Sequence, residues 1–312
     1  MTRTKVHLMT RAMLGAVAIS MAGSIVLASS AKANELWDPY LRAVNEGVPA
    51  GALPPPGVYG VLNNYWADYN LYNSTGHKVT NGHLNALVEV PIVLWVPGIR
   101  FLGADYAAAI AQPFDYTSAG GLTGVAGAGN LGMFNTVLIP GILSWSLPNN
   151  FHASAGFEIY LPDASSKPGD NLNNGGLPSG NGFTAVQPDF GLSYLADGWN
   201  LSVATHLSLP ISANTNNGRD YKSGNEFSAD YTISKTIGKW TFGLGAHELN
   251  QLNNDTGASV TPGDHKAESY GMGPLMSYQL NGVNVTASWD QNLYTKNDVA
   301  GTIVNIRLVT AF

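Results

Sequence analysis

The sequence predicts an all-β fold: a transmembrane antiparallel up-and-down β-barrel of about twelve strands. Three observations carry this. Long segments alternate apolar and polar residues with a period of two. Short turns and longer polar segments alternate along the chain. Charge is scarce, at 12% Asp, Glu, Lys and Arg alongside 36 Gly, against roughly 25% charged residues in an ordinary soluble domain. In a barrel one face meets lipid, and charge is confined to lumen and loops. A soluble β-sandwich also alternates, but it leaves the weakly charged surface unexplained.

The elements follow in order. Arg3, Lys5 and Arg11 form a basic start, Ala12 to Leu27 is apolar or small, and Ala31-Lys32-Ala33 is an Ala-x-Ala cleavage site. Residues 1–33 therefore read as a secretory signal peptide, and the expected location is the bacterial outer membrane. That apolar run is short for a membrane helix, and no other stretch is long and apolar enough to be one. The chain has no Cys, which excludes a disulfide scaffold, thiolate metal sites and Cys nucleophiles. A net charge of −6 gives no footprint for nucleic acid. Residues 34–56 do not alternate and end in Leu53-Pro54-Pro55-Pro56. They read as an N-terminal extension, either periplasmic or a small plug entering the lumen, with a stiff Pro-rich lead-in. The barrel is expected over residues 57–312.

The strand signals are period-two runs. In His83 to Val96, Leu84, Ala86, Val88, Val90, Ile92, Leu94 and Val96 share one face, expected outward; His83, Asn85, Glu89 and Pro91 share the other. Trp95 fits poorly there, falling inward unless Pro91 shifts the phase. Similar runs begin at Phe151, Trp199, Trp240 and Val283. Short turns are expected at Pro97-Gly98, Pro148-Asn149-Asn150, Asp197-Gly198, Gly238-Lys239 and Asn281-Gly282; Asp-Gly and Asn-Gly are strong hairpin signals. Long loops are expected at Asn70–Gly82, Pro113–Asn130, Pro162–Gly182, Ile211–Gly224, Gln251–Asp264 and Thr295–Ala300. Trp95, Trp145, Trp199 and Trp240 lie near short turns, and Tyr69, Tyr72, Tyr116, Tyr221 and Tyr294 near long loops, which suggests two interfacial belts.

The final segment, Thr302 to Phe312, also alternates: Val304, Ile306, Leu308, Thr310 and Phe312 oppose Asn305 and Arg307. A last strand ending in an aromatic resembles the assembly signal of bacterial outer-membrane barrels, which implies the barrel-assembly machinery as a partner through Phe312. Three further stretches carry a family resemblance: Leu53 to Tyr59 (LPPPGVY), Val90 to Gly98 (VPIVLWVPG) and Gly103 to Tyr106 (GADY). They resemble outer-membrane proteins grouped with the meta-cleavage (MetA) pathway of phenol degradation. The resemblance implies a β-barrel that passes hydrophobic or aromatic compounds, and it implies no binding residues.

Inward, channel-lining candidates are His83, Asn85, Glu89, Asp105, Glu158, His206, Asp230, His247, Asp290 and Arg307. An acidic lumen would favour cations, but intramembrane charges commonly pair, and Arg307 is expected to pair with an acidic neighbour. The nearly uncharged segment Pro113–Asn130 is expected to fold inward as a constriction, with Phe114, Tyr116, Gly120, Gly121 and Gly124. No catalytic residue is expected. His152 and Ser154 share a face, but they sit at the short-turn end and lack the pattern of the outer-membrane phospholipase. Neither a cofactor nor a metal site is expected. His residues lack ligand spacing, and Asn254, Asp255 and Asp264 read as plain polar loop rather than a Ca²⁺ site. The expected function is passive uptake of small hydrophobic or aromatic molecules; the alternatives are a general aqueous porin and a closed structural or adhesive barrel. Expected partners are the lipid bilayer and the solute, with oligomeric state undetermined.

Overall fold

The computed structural model describes residues 37–122, 125–165, 179–213, 221–258, 260 and 263–312; side chains of 121–130 are not described. Its strands are β1 (Gly57–Tyr72), β2 (Lys78–Val96), β3 (Arg100–Phe101), β4 (Ala104–Ala111), β5 (Phe114–Leu122), β6 (Val125–Met133), β7 (Val137–Ser146), β8 (Phe151–Tyr160), β9 (Ala185–Ala196), β10 (Trp199–Pro210), β11 (Glu226–Ile237), β12 (Trp240–Gln251), β13 (Glu268–Leu280), β14 (Val283–Lys296) and β15 (Val299–Ala311). All the ladders between them are antiparallel.

Pairings of β15 with β1 and of β2 with β4 complete one closed ring. β15 pairs with β1 along Tyr59↔Ala311 to Leu71↔Val299. β2 is long enough to hold two partners, β4 at its short-turn half and β5 at its far half. β4 and β5 are thus one wall strand broken at Gln112-Pro113, where Pro113 has no N–H to give a ladder. β6 and β7 are likewise one strand, interrupted at residues 134–136. Counting each broken strand once, and leaving out the two-residue β3 that pairs only with β4, gives twelve. The bare sequence expectation holds, and both barrel ends lie at the short-turn rim.

All five expected short turns are present. Asn281 (φ 44°) with Gly282 (φ 92°), and Asp197 (φ 50°) with Gly198 (φ 77°), place both central residues at positive φ. That is the two-residue turn whose twist matches the strands it joins. The long-loop expectation needs correction. Residues 73–77 and the pair Asn297-Asp298 are tight connections, and Pro113–Asn130 is mostly strand.

The wall is apolar outside, as lipid demands. Trp95, Trp199, Trp240, Phe242, Leu244 and Trp289 are exposed on it. Trp95, Trp199 and Trp240 mark the short-turn rim; Tyr116 and Tyr294 are exposed toward the other rim, whereas Tyr69 and Tyr221 are buried. β2 has the opposite phase to the one expected: Leu84, Ala86, Val88 and Val90 are buried, and His83, Leu87 and Trp95 are exposed. The inward phase puts Trp95 at the lipid face and removes its misfit. Alternation shows that one face is apolar, not which face is the outer one, and here the lumen itself is apolar.

Candidate functional site: the filled lumen

Of the expected extension, residues 37–51 lie against the inward side chains of the wall, while Pro55 and Pro56 are exposed near the short-turn rim. Trp37 is at the long-loop end: its carbonyl accepts from Asn181 Nδ2 at 2.9 Å, and its ring meets Phe134 edge-on at 5.0 Å. Gly51 is near the other end, between Ser144 and Ser193. The segment therefore runs down the lumen as a chain of turns, with Val44 N on Leu41 O, Glu46 N on Ala43 O and Val48 N on Asn45 O. Too short to fold alone, it is held by the wall.

The wall side chains that hold it are mostly the expected inward ones. Asp230 accepts from Tyr40 OH at 2.6 Å, Ala43 N at 3.0 Å and Asn45 N at 2.8 Å. Ala43 has φ 63°, a left-handed conformation that turns nearby N–H groups onto one anion. Such a conformation in a non-Gly residue costs about 1–3 kcal/mol and persists where its surroundings fix it. His206 stacks on Tyr40 at 3.8 Å between centroids, and its Nδ1 is 2.6 Å from Asp189. Glu158 accepts from Tyr160 OH and Gln187 Nε2. Arg307 donates to the main-chain carbonyls of Val44 (3.1 Å) and Glu46 (2.9 Å). This corrects the expectation of an acidic partner: the plug's carbonyls satisfy the guanidinium. Thr232, Ser193 and Ser154 bind the backbone of Gly47, Gly51 and Ala50. Ser154 is thus a plug contact, and His152 bonds Ser146 instead.

Inside the plug, Arg42 bridges Asp38 and Asp298 in the β14–β15 turn, the latter at 2.5 Å, and donates to Val299 O at 3.1 Å. Burial works against its charge, but Asp298 and Asp38 outweigh burial and hold its pKa well above the usual value. Burial, then Asp230, raises the Tyr40 hydroxyl, so Tyr40 remains a donor. Burial, then the adjacent Asp290, pushes Glu46 up to about 11. Glu46, His247 and Asp290 form the one cluster of carboxylate and imidazole groups among the described residues that could hold a metal ion.

Four lining candidates lie elsewhere. His83, Asn85 and Glu89 share the outer face of β2 with Leu87 and Trp95. Asp105 is at the short-turn rim, 53% exposed and 3.3 Å from Arg100. The constriction loop is also corrected: residues 114–122 and 125–133 form a hairpin continuous with the wall. Phe114 and Tyr116 are 40% and 53% exposed on its outside. Gly120 and Gly121 are in β5, and Gly124 lies outside the described residues. Asp255 binds Gly224 N and Gln251, while Asp264 pairs with Lys296.

Sequence reasoning missed Asp189, Gln187 and every plug residue. A signal was available for the last. Asp38, Arg42 and Glu46 recur every four residues among Trp37, Tyr40 and Leu41, a mixture of charge and aromatic unlike an inert lead-in.

The fold and the filled lumen define a closed twelve-stranded β-barrel, apolar outside, with a segment of its own chain held inside. Residues 69–308 match the model of the family described as "Putative MetA-pathway of phenol degradation", and the chain belongs to that family. The structure is similar to an outer membrane channel from Pseudomonas putida F1, at 15% identity and TM-score 0.74, over 86% of this chain and 100% of that one. The translocator domain of the autotransporter NalP from Neisseria meningitidis is a weaker likeness, at 11% identity and TM-score 0.45, over 84% and 91%. No curated protein matches the sequence.

Proposed function

We propose that this protein is an outer-membrane channel for small hydrophobic or aromatic molecules, with residues 37–51 as its internal plug. One observation carries the reading: the lumen has an apolar side. Tyr65, Ala67 and Tyr69 on β1 and Leu84, Ala86, Val88 and Val90 on β2 face inward and are buried in one cluster with Trp37 and Ala43 of the plug. A water-filled porin needs a polar lumen, and the polar side here is taken up by bonds to the plug. An apolar wall packed against a plug suits a solute that needs no hydration shell and can take the plug's place against it. The family's description, which names phenol degradation, supports an aromatic solute.

The test is planar-bilayer conductance of the purified protein, with and without toluene, alongside uptake of labelled toluene and of a small sugar by cells that make the protein. Low ionic conductance, altered by toluene, with toluene uptake exceeding sugar uptake, is expected. A large steady conductance indifferent to toluene would replace this reading with a general porin. No uptake of either solute would leave a closed structural barrel.

A further inference from the structure

Three groups from distant segments converge where the plug meets the wall: Glu46, His247 of β12 and Asp290 of β14. All three are buried, and their ligand atoms lie within 4.8 Å of one another. His247 Nδ1 is 3.5 Å from Glu46 Oε1 and 3.9 Å from Asp290 Oδ1. Both carboxylate oxygens of Glu46, both of Asp290 and His247 Nδ1 have no hydrogen-bond partner. A buried polar group without a partner costs about 1–3 kcal/mol, and a charged one more. Atoms crowded in this way call for something between them, either a cation or a proton shared by Glu46 and Asp290. Arg307 acts on Glu46 through its charge, but its hydrogen bonds go to the Val44 and Glu46 carbonyls and not to the three side chains.

The wall is shaped for this meeting. A Cβ on Gly245 would lie 1.7 Å from Glu46 Oε2, and one on Gly271 would lie 2.4 Å from His247 Cε1. Both positions must lack a side chain for the carboxylate and the imidazole to meet. Gly271 is opposite His247 on β13, so its bareness also lets His247 lean toward β14.

We propose that Glu46, His247 and Asp290 bind a divalent transition-metal ion of the Zn²⁺ class, which fastens the plug to the wall. In a tetrahedral zinc site, bonds of about 2.0–2.1 Å separate the donor atoms by about 3.3 Å. Against that spacing, the separations of 3.5 and 3.9 Å from His247 need to close by about 0.2 and 0.6 Å. One imidazole nitrogen and two carboxylate oxygens suit Zn²⁺, Co²⁺ or Mn²⁺, whereas Ca²⁺ and Mg²⁺ take shells made of oxygen. Water completes the shell, as in open zinc sites. The rival arrangement is a proton shared between Glu46 and Asp290, which binds no metal.

The experiment uses the full exported chain in detergent, stripped with EDTA and refolded with Co²⁺ as the spectroscopic probe. One Co²⁺ per chain, with visible absorption that Zn²⁺ abolishes and Ca²⁺ and Mg²⁺ leave unchanged, is expected. Glu46→Gln and Asp290→Asn keep the shape and should each lower affinity about a hundredfold or more, since even outer-shell changes cost 10–100-fold. His77→Ala, in an exposed turn, should leave it unaltered. Zn²⁺ should also slow proteolysis within residues 38–52. Absence of stoichiometric Co²⁺ binding, or equal binding in a folded Glu46→Gln/Asp290→Asn double variant, would overturn the site in favour of the shared proton. None of these readouts measures transport, so the site and the channel reading stand or fall separately.

Discussion

The inner faces of β1–β2 and of β10–β14 touch the same plug in opposite ways. The first presents Tyr65, Ala67, Leu84, Ala86 and Val88, which contact it by area. The second presents His206, Asp230, Thr232, His247 and Asp290, which meet it through hydrogen bonds and polar clusters. Apolar contact is non-directional and roughly proportional to area, so a solute can replace part of it and the plug can slide on it. Hydrogen bonds to a buried carboxylate are directional, and losing one partner strands the other. The polar half is thus the fastening, and in the proposed function the apolar half is the surface along which a hydrophobic solute would move.

The strongest way to break this comparison is to remove the plug. Deleting residues 38–52 should strand the polar half facing water and raise steady single-channel conductance at least about tenfold, given the lumen expected of twelve strands. An unchanged conductance would mean that something else closes the lumen, and the division into fastening and track would lose its basis.

Asp230→Ala comes next. It removes the acceptor of three bonds to the plug, and bonds to charged groups are worth about 1.5–3 kcal/mol each. A net loss of about 3 kcal/mol should raise the released population of the plug roughly a hundredfold. Hydrogen exchange of the amides of residues 40–48 reads this directly. Exchange as slow as in the parent protein would show that the apolar half holds the plug by itself.

Val88→Ala sharpens the contrast from the other side. Val88 is fully buried on the apolar face, and shortening it removes about 1–2 kcal/mol of burial. Thermal unfolding should shift down by a few degrees, with plug exchange unchanged. Faster plug exchange without loss of stability would mean that the apolar half is a fastening too.

The two halves were not equally legible in the sequence. Strand number, turn positions and the inward face of β10, β12, β14 and β15 follow from alternation, because on those strands one face is plainly polar. His206, His247, Asp290 and Arg307 were found that way. On β2 both faces are largely apolar, and period two marks a face without naming its side. The plug was only faintly legible, for a different reason. Its charges recur every four residues, but its order comes from Asp230, Arg307 and Asp298, which lie more than 180 residues further along the chain. The Glu46–His247–Asp290 cluster escaped for the same reason, since ligand spacing within one element cannot reveal donors drawn from three.

Glu89 provides the finest test. An inward Glu89 would help set cation preference, and Glu89→Gln with Asp105→Asn would then reduce it. In the structure Glu89 shares the outer face of β2 with Leu87 and Trp95, and Asp105 pairs with Arg100 at the rim. Neither faces the plug, and an outward group is separated from the lumen by the wall itself. The double variant measured in the plug-deleted barrel, where ions pass freely, should leave the reversal potential unchanged within error. Asp230→Asn in the same background should shift it toward lower cation preference, because Asp230 then lines open water. A shift from Glu89→Gln instead would return β2 to the opposite phase and put the apolar face of Leu84, Ala86 and Val88 against lipid, leaving the lumen without a hydrophobic side.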